Sequence, residues 1–231
     1  MKRLVLFDID GTLLTARGAP RRAFERAMRE VYGTTGPVAT HRFDGKTDPQ
    51  IARELLLADG VPDDLITAGL PSLWARYLDE LRHEFSRPAH RTVVFPGIHP
   101  LLEDLERRTD EVLLGLLTGN IAGGAALKLE SAGIRTQFRV GAFGSDCERR
   151  DGLPPLAVAR AEECVGVRFE KREIVIIGDT PADVTCGQAL GVRALAVATG
   201  SHSAPELADA GADVVFDDLQ DMAAVVDAIL S

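Results

Sequence analysis

The chain has 231 residues, of which 45% are hydrophobic and 26% charged, with 22 glycines and 12 prolines. At roughly 150 residues per domain this is one large domain or a core carrying a smaller insertion, and the composition excludes a disordered, collagenous or low-complexity chain. With 35 acidic against 26 basic side chains the net charge is −9, which argues against nucleic-acid binding, because that runs on clustered Lys and Arg.

Met1-Lys2-Arg3 leads straight into an apolar run at 4–9, without a long hydrophobic leader or a small-residue cleavage site, and no run approaches 18 apolar residues. Neither a secretory leader nor a membrane span is expected. The run at 4–9 predicts a buried strand that ends in Asp8-Ile9-Asp10-Gly11-Thr12. From about 15 to 88 no strand is convincing. Phe24, Ala27, Met28 and Val31 share a helical face; Ile51, Leu55 and Leu56 mark a second helix; Leu73, Trp74, Tyr77, Leu78, Leu81 and Phe85 mark a third. The prediction is a small all-helical module, residues 15–87, inserted into a core domain made of residues 1–14 and 88–231, with hinges near 14–16 and 87–93. The face at 73–85 is buried either within that module or against a second copy, so monomer and homodimer both stand.

Beyond the insertion, strands predicted at 112–117, 138–143, 174–177, 194–198 and 214–216 alternate with helical patterns at 98–105, 122–132, 156–165, 184–190 and 222–229. That alternation predicts an α/β core with a doubly wound, mostly parallel Rossmann-like sheet, in which ligands bind at the carboxyl ends of strands. Cys147, Cys164 and Cys186 stand 17 and 22 residues apart, which fits neither a disulfide framework nor a zinc knuckle. The cysteines are expected to be structural and the protein cytoplasmic. The five histidines lack metal-ligand spacing, and the glycines at 119, 123 and 124 lack the Lys-Ser/Thr or GxGxxG that would make a nucleotide loop.

Three of the predicted strands end in polar residues: Asp8 and Asp10, Thr118-Gly119-Asn120, and Asp179-Thr180. Asp8 and Asp10, two apart, point the same way in strand geometry. Two close carboxylates repel unless they share a cation or a proton, and hard oxygen ligands at a sheet end suit Mg²⁺. Asp179 completes such a site if its strand lies beside the first, and Asp183 follows one turn into a helix that Pro181 starts. For any one segment, a strand running into an Asp-Gly turn is the competing explanation.

These segments together resemble the haloacid dehalogenase-like hydrolase superfamily, and within it the phosphoglycolate phosphatase-like phosphatases. Phe7-Asp8-Ile9-Asp10-Gly11-Thr12-Leu13 looks like the first motif, Leu117-Thr118-Gly119-Asn120 the second, and Gly178-Asp179-Thr180-Pro181-Ala182-Asp183 the fourth. The resemblance implies a Mg²⁺-dependent hydrolysis of a small-molecule phosphate ester such as phosphoglycolate. Asp8 would be the nucleophile and Asp10 the acid and then base. Mg²⁺ would be held by Asp8, the Asp10 carbonyl and Asp179, with Asp183 in support. Thr118 and the N–H groups of Gly119 and Asn120 would bind the phosphoryl group, unless Thr118 only caps a helix or satisfies a turn.

The third motif departs from the family pattern, which usually has a Lys where this chain has Arg149-Arg150-Asp151. Arg150 is the better match and Arg149 the second, with a solvated surface pair as the alternative; a guanidinium fork is no simple stand-in for an ammonium. Asp10 disfavours a carbon–halogen dehalogenase, and Thr12, where sugar phosphomutases usually carry Val, favours hydrolysis over transfer. A mutase or a weakly catalytic binding module remain the alternatives. The inserted helices resemble the helical cap that such enzymes close over the substrate, and in them Gly45-Lys46-Thr47-Asp48 is either a substrate-facing loop, with Lys46 on an anionic leaving group, or a turn that Asp48 caps ahead of Pro49. Arg17, Arg21, Arg22 and His41 are weaker candidates for the cleft.

Overall fold

The computed structural model describes residues 2–135 and 138–231; Met1 lies outside them. In chain order the elements are β1 (Arg3–Phe7), β2 (Leu14–Thr15), α1 (Ala19–Tyr32), α2 (Asp48–Ala58), α3 (Asp63–Ser86), β3 (Val93–Val94), α4 (Ile98–Arg107), β4 (Val112–Thr118), α5 (Ala122–Ser131), β5 (Val140–Phe143), α6 (Leu153–Val165), β6 (Ile174–Gly178), α7 (Pro181–Leu190), β7 (Arg193–Val197), α8 (Ala204–Asp209), β8 (Val214–Phe216) and α9 (Met222–Leu230). Six strands make one sheet in the order β5-β4-β1-β6-β7-β8, and every pairing in it is parallel. The chain starts at the centre, winds outward through β4 and β5, then returns to build the other half. The strand order therefore reverses at β1, and the crevice at its carboxyl end is where such sheets bind ligands.

Both faces of the sheet are covered, which is why its strands read as unbroken apolar runs. Leu4 and Leu6 of β1 join Leu113, Ile174 and Ile176 in the cluster with Leu153, Ala157 and Ala161 of α6. Val5 and Phe7 point the other way, into the cluster with Ile98 and Leu101 of α4 and Val225 and Ile229 of α9. β2 and β3 form a separate antiparallel ribbon of two residues each, too short for any alternation to show in the sequence. The short α8, which buries one side chain, Leu207, is likewise an element that the periodicity does not predict.

Helices α1, α2 and α3 fall between the two ribbon strands and share one apolar cluster. Phe24, Ala27 and Met28 of α1 meet Leu73, Tyr77 and Leu81 of α3, with Ile51 and Leu55 of α2. Of the stripe at 73–85, Leu73, Tyr77 and Leu81 are buried within this unit, and Trp74, Leu78 and Phe85 are partly buried against it. α3 begins well before that stripe, at Asp63, and runs through Pro71, whose missing N–H removes a single helix bond. Among the described residues no helix is long and apolar enough to cross a membrane.

A charged cluster also joins α1 to α3. Glu84, fully buried, accepts hydrogen bonds from Arg22, Arg26 and Arg87, and Glu80 takes Arg26 and Arg76. Burial alone would raise Glu84, but the three guanidinium groups outweigh it and hold the carboxyl at about 2. A carboxyl lowered on folding contributes stability that is complete above its ordinary value of 4.5 and is lost as pH falls through about 2. Glu84→Gln should therefore lower the urea midpoint at pH 6 and lose less than the intact protein between pH 4.5 and 2; parallel pH profiles for the two proteins would show that Glu84 is not held this way.

Candidate active site

The parallel register brings the ends of β4, β1 and β6 side by side, with Phe7 opposite both Leu116 and Ile177. Asp8 follows β1, Thr118 closes β4 and Asp179 follows β6, so the three polar strand ends converge. After Asp10 the chain turns at Gly11, where φ is +86° and a Cβ would stand 2.1 Å from Asp179 Oδ2. Only glycine permits both that backbone and that approach. The fully buried Thr12 hydroxyl donates to Asp179 Oδ1 at 3.1 Å, holding that carboxylate. Asp183 is fixed by a capping box at the start of α7, in which the Thr180 N–H and hydroxyl donate to Asp183 Oδ2 and the Asp183 N–H donates back.

Asp8, Asp179 and Asp183 are all buried and offer carboxylate oxygens within 4.8 Å of one another. Arg150, also buried, hydrogen-bonds to Asp183 and stands 3.5 Å from Asp8 Oδ1. Like charges about 4 Å apart repel by about 4 kcal/mol per pair at an effective dielectric near 20. Three repulsions of that order face two attractions to Arg150, so the cluster is short of positive charge. Burial pushes Asp8 up to about 7, Arg150 pulling it down and Asp183 and Asp10 adding to the rise. Burial, then Asp8 and Asp183, push Asp179 well above the carboxylate range. Against its own burial, Arg150 is held in the charged form by Asp183 and Asp8. Three carboxylates against one guanidinium leave an all-oxygen donor set short of two positive charges, which fits a hard divalent cation.

A cavity of roughly 300 Å³ opens above this cluster. The core lines it with Asp8, Asp10, Thr118, Asn120 and Lys128, and the helical insertion with Arg17, Arg21, Phe24, Phe43, Lys46, Ile51 and Tyr77. Thr118 is fully buried, and its hydroxyl accepts from Asn120 Nδ2 at 2.8 Å; the N-cap of α5 is Ile121, so Thr118 does not cap that helix. The first N–H groups of α5 are already taken, since Ile121 N–H donates to Asp48 Oδ2 and Ala122 N–H to Ser145 Oγ. The anion at this helix N-terminus is the protein's own Asp48 rather than a ligand. Burial pushes Asp48 up to about 6, against the Lys128 ammonium and the Ile121 N–H.

Two sequence expectations are corrected by this arrangement. Arg149 lies outside the cavity, with a side chain that is 80% exposed and paired to Asp151. It is the extended residue immediately before a single helical turn at 150–152, which carries Arg150. Asp48 is not the N-cap of α2. That cap is Thr47, whose buried hydroxyl accepts from Gln50 N–H and donates to the Glu148 carbonyl of the core. Lys46 reaches the cavity wall, but its ammonium pairs with Glu54, as does His41. Arg17 and Arg21 line the cavity, whereas Arg22 is held by Glu84.

Lys128 was not expected here. It is 4% exposed, and its Nζ lies 2.6 Å from Asp10 Oδ2 and 2.5 Å from Asn120 Oδ1. The one signal in the sequence is a lone Lys among the small and apolar residues at 122–129, a pattern otherwise read as scaffold.

A family model described as haloacid dehalogenase-like hydrolase matches residues 5–197. A phosphoglycolate phosphatase of Pseudomonas savastanoi pv. phaseolicola is 26% identical over 225 residues, covering 95% of this chain and 78% of that protein. Among solved structures, a hydrolase from Pseudomonas syringae superposes with a TM-score of 0.72 at 19% identity over the whole of both chains. CbbY from Rhodobacter sphaeroides, in complex with phosphate, superposes with a TM-score of 0.65 at 18% identity over 96% of each chain. With its strand order, its three converging polar strand ends and a match over most of its length, the chain belongs to the haloacid dehalogenase-like hydrolase family.

Proposed function

We propose that this protein hydrolyses a small phosphate monoester through a phosphoaspartate formed on Asp8. The observation that carries this reading is the buried Asp8 beside both Asp10 and Arg150, at the strand-order reversal and under a cavity. An Asp8 oxygen attacks phosphorus as the bond to the leaving oxygen breaks, and Asp10 gives that oxygen its proton. Asp10 then takes a proton from the water that opens the phosphoaspartate. Arg150 offsets charge on the phosphoryl oxygens, with hydrogen bonds from the Thr118 hydroxyl and the Gly119 and Asn120 N–H groups. We assign Mg²⁺ to Asp8, the Asp10 carbonyl, Asp179 and Asp183; when bound it would offset the negative charge that otherwise repels a phosphate dianion.

Residues 15–87 act as a cap over the core of 1–14 and 88–231, excluding water and contacting the leaving group. Arg17 and Arg21 supply positive charge on that side of the cavity, which suits an anionic leaving group, and Lys46 reaches the same wall while paired with Glu54. Together with the relatives called phosphoglycolate phosphatase, this favours phosphoglycolate or a similarly small, soluble ester. The free cysteines fit a cytoplasmic setting.

Phosphate release from a panel of small phosphomonoesters, with and without Mg²⁺, tests the proposal. Release should need the metal and fall by roughly three orders of magnitude or more in Asp8→Asn; no release by the folded protein across the panel would refute it. The two arginines should separate in the same assay. Arg150→Met is expected to lower kcat by about 100-fold, and Arg149→Ala to stay within about twofold of the intact protein because its side chain lies in solvent. Metal binding should also be linked to protons. Asp8 is held at about 7 without metal and Asp179 is raised as well, and both must ionise to coordinate, so affinity rises as pH rises through about 7. Titration calorimetry at pH 6 in two buffers of different protonation enthalpy should show net proton release on metal binding, and less of it from Asp8→Asn.

A further inference from the structure

The cavity holds one cation that the proposed reaction does not use. Lys128 lies on α5, its side chain 5% exposed. Its Nζ donates to Asp10 Oδ2 at 2.6 Å and to Asn120 Oδ1 at 2.5 Å, and Asn120 Nδ2 donates to the same Asp10 Oδ2 at 2.8 Å. Lys128, Asn120 and Asp10 thus close a three-membered ring of hydrogen bonds on Asp10 Oδ2, and among the described residues Asp10 Oδ1 takes no hydrogen bond. An ammonium buried this deeply is costly unless paired, and both of its described partners lie in the cleft.

We propose that Lys128 is a positioning residue for proton transfer to the leaving group, an inference that rests on the hydrolase reading above. Two donors on Oδ2 fix the plane of the Asp10 carboxyl and leave Oδ1 as the oxygen that carries the proton. When Asp8 attacks phosphorus, the electron pair of the breaking P–O bond goes to the leaving oxygen, and that oxygen takes the proton from Oδ1. The negative charge left on the Asp10 carboxylate then forms beside the Lys128 ammonium, already in place. In the second half of the cycle the same geometry presents Oδ1 to the attacking water. Lys128 touches neither phosphorus nor the leaving atom in this scheme; it acts through Asp10.

The role predicts a dependence on leaving-group basicity that a purely structural lysine would not give. An alkyl alcohol must be protonated as it leaves, whereas p-nitrophenolate departs readily without a proton. Lys128→Met is therefore expected to lower kcat/KM, which reports the steps through departure of the leaving group, by about 100-fold for a simple alkyl phosphate and by less than about fivefold for p-nitrophenyl phosphate. Lys128→Arg, which keeps a charged donor, should recover part of the alkyl activity. Retained p-nitrophenyl activity serves as the check on folding, and Lys128→Gln is the second variant if Met is not tolerated. Equal losses on both esters, or no loss on either, overturn the role of Lys128 alone. Thermal melts showing that neither the Met nor the Gln variant folds would make the residue part of the scaffold and overturn it too. Intact protein inactive on both esters overturns the hydrolase reading and this role with it.

Discussion

Three buried carboxylates around one guanidinium set the terms for everything near the carboxyl end of the sheet. Asp8, Asp179 and Asp183 come from the ends of two neighbouring strands and the first turn of the helix after one of them. The parallel register therefore forces them together whether or not their charges favour it. Apolar packing on both faces of the sheet supplies the stability against which this repulsion is held. The local devices all serve that compression: a glycine at 11 where a methyl group would strike Asp179, a buried threonine hydroxyl on the same carboxylate, a capping box on Asp183, and Arg150 turned inward. Strain of this kind is characteristic of sites whose charge is completed by a ligand.

A second balance of charge lies on the other side of the cleft. Asp10 and Asp48 face Lys128 there, with Asn120 between the ammonium and Asp10. Among the described residues the cleft thus has two cations on the core side, each with its own carboxylates: Arg150 beside Asp8 and Asp183, and Lys128 beside Asp10. The family pattern places a lysine where Arg150 stands. An arginine there gives a rigid fork that engages Asp183 and Asp8 together.

The sheet was legible in the sequence because buried parallel strands leave apolar runs, and runs that end in Asp or Thr mark the functional edge. The predicted strands at 112–117, 174–177 and 214–216 appear nearly residue for residue as β4, β6 and β8. What could not be read was set by tertiary partners. Thr47, not Asp48, caps α2 because Asp48 is drawn across to Ile121 of the core, a contact 73 residues away. Which of Arg149 and Arg150 turns inward depends on the start of a single helical turn at 150–152. Lys128 sits in a helix whose neighbours are small and apolar, so only the position of α5 beside Asp10 reveals its surroundings. The ribbon of β2 and β3 lacked any signal, being two residues on each side.

The contact between the helical insertion and the loop after β4 has a mechanical consequence. The Asp48 N–H donates to the Gly119 carbonyl, the Asp48 carboxylate holds the Ile121 N–H, and a Cβ at 119 would stand 2.1 Å from the Lys46 carbonyl. The loop bearing Thr118 and Asn120 is therefore shaped partly by a segment that belongs to the other unit. If the helices lifted away, two of that loop's backbone hydrogen bonds, at the Gly119 carbonyl and the Ile121 N–H, would leave with them. Any opening between the helical insertion and the core would thus also loosen the loop that carries Thr118 and Asn120.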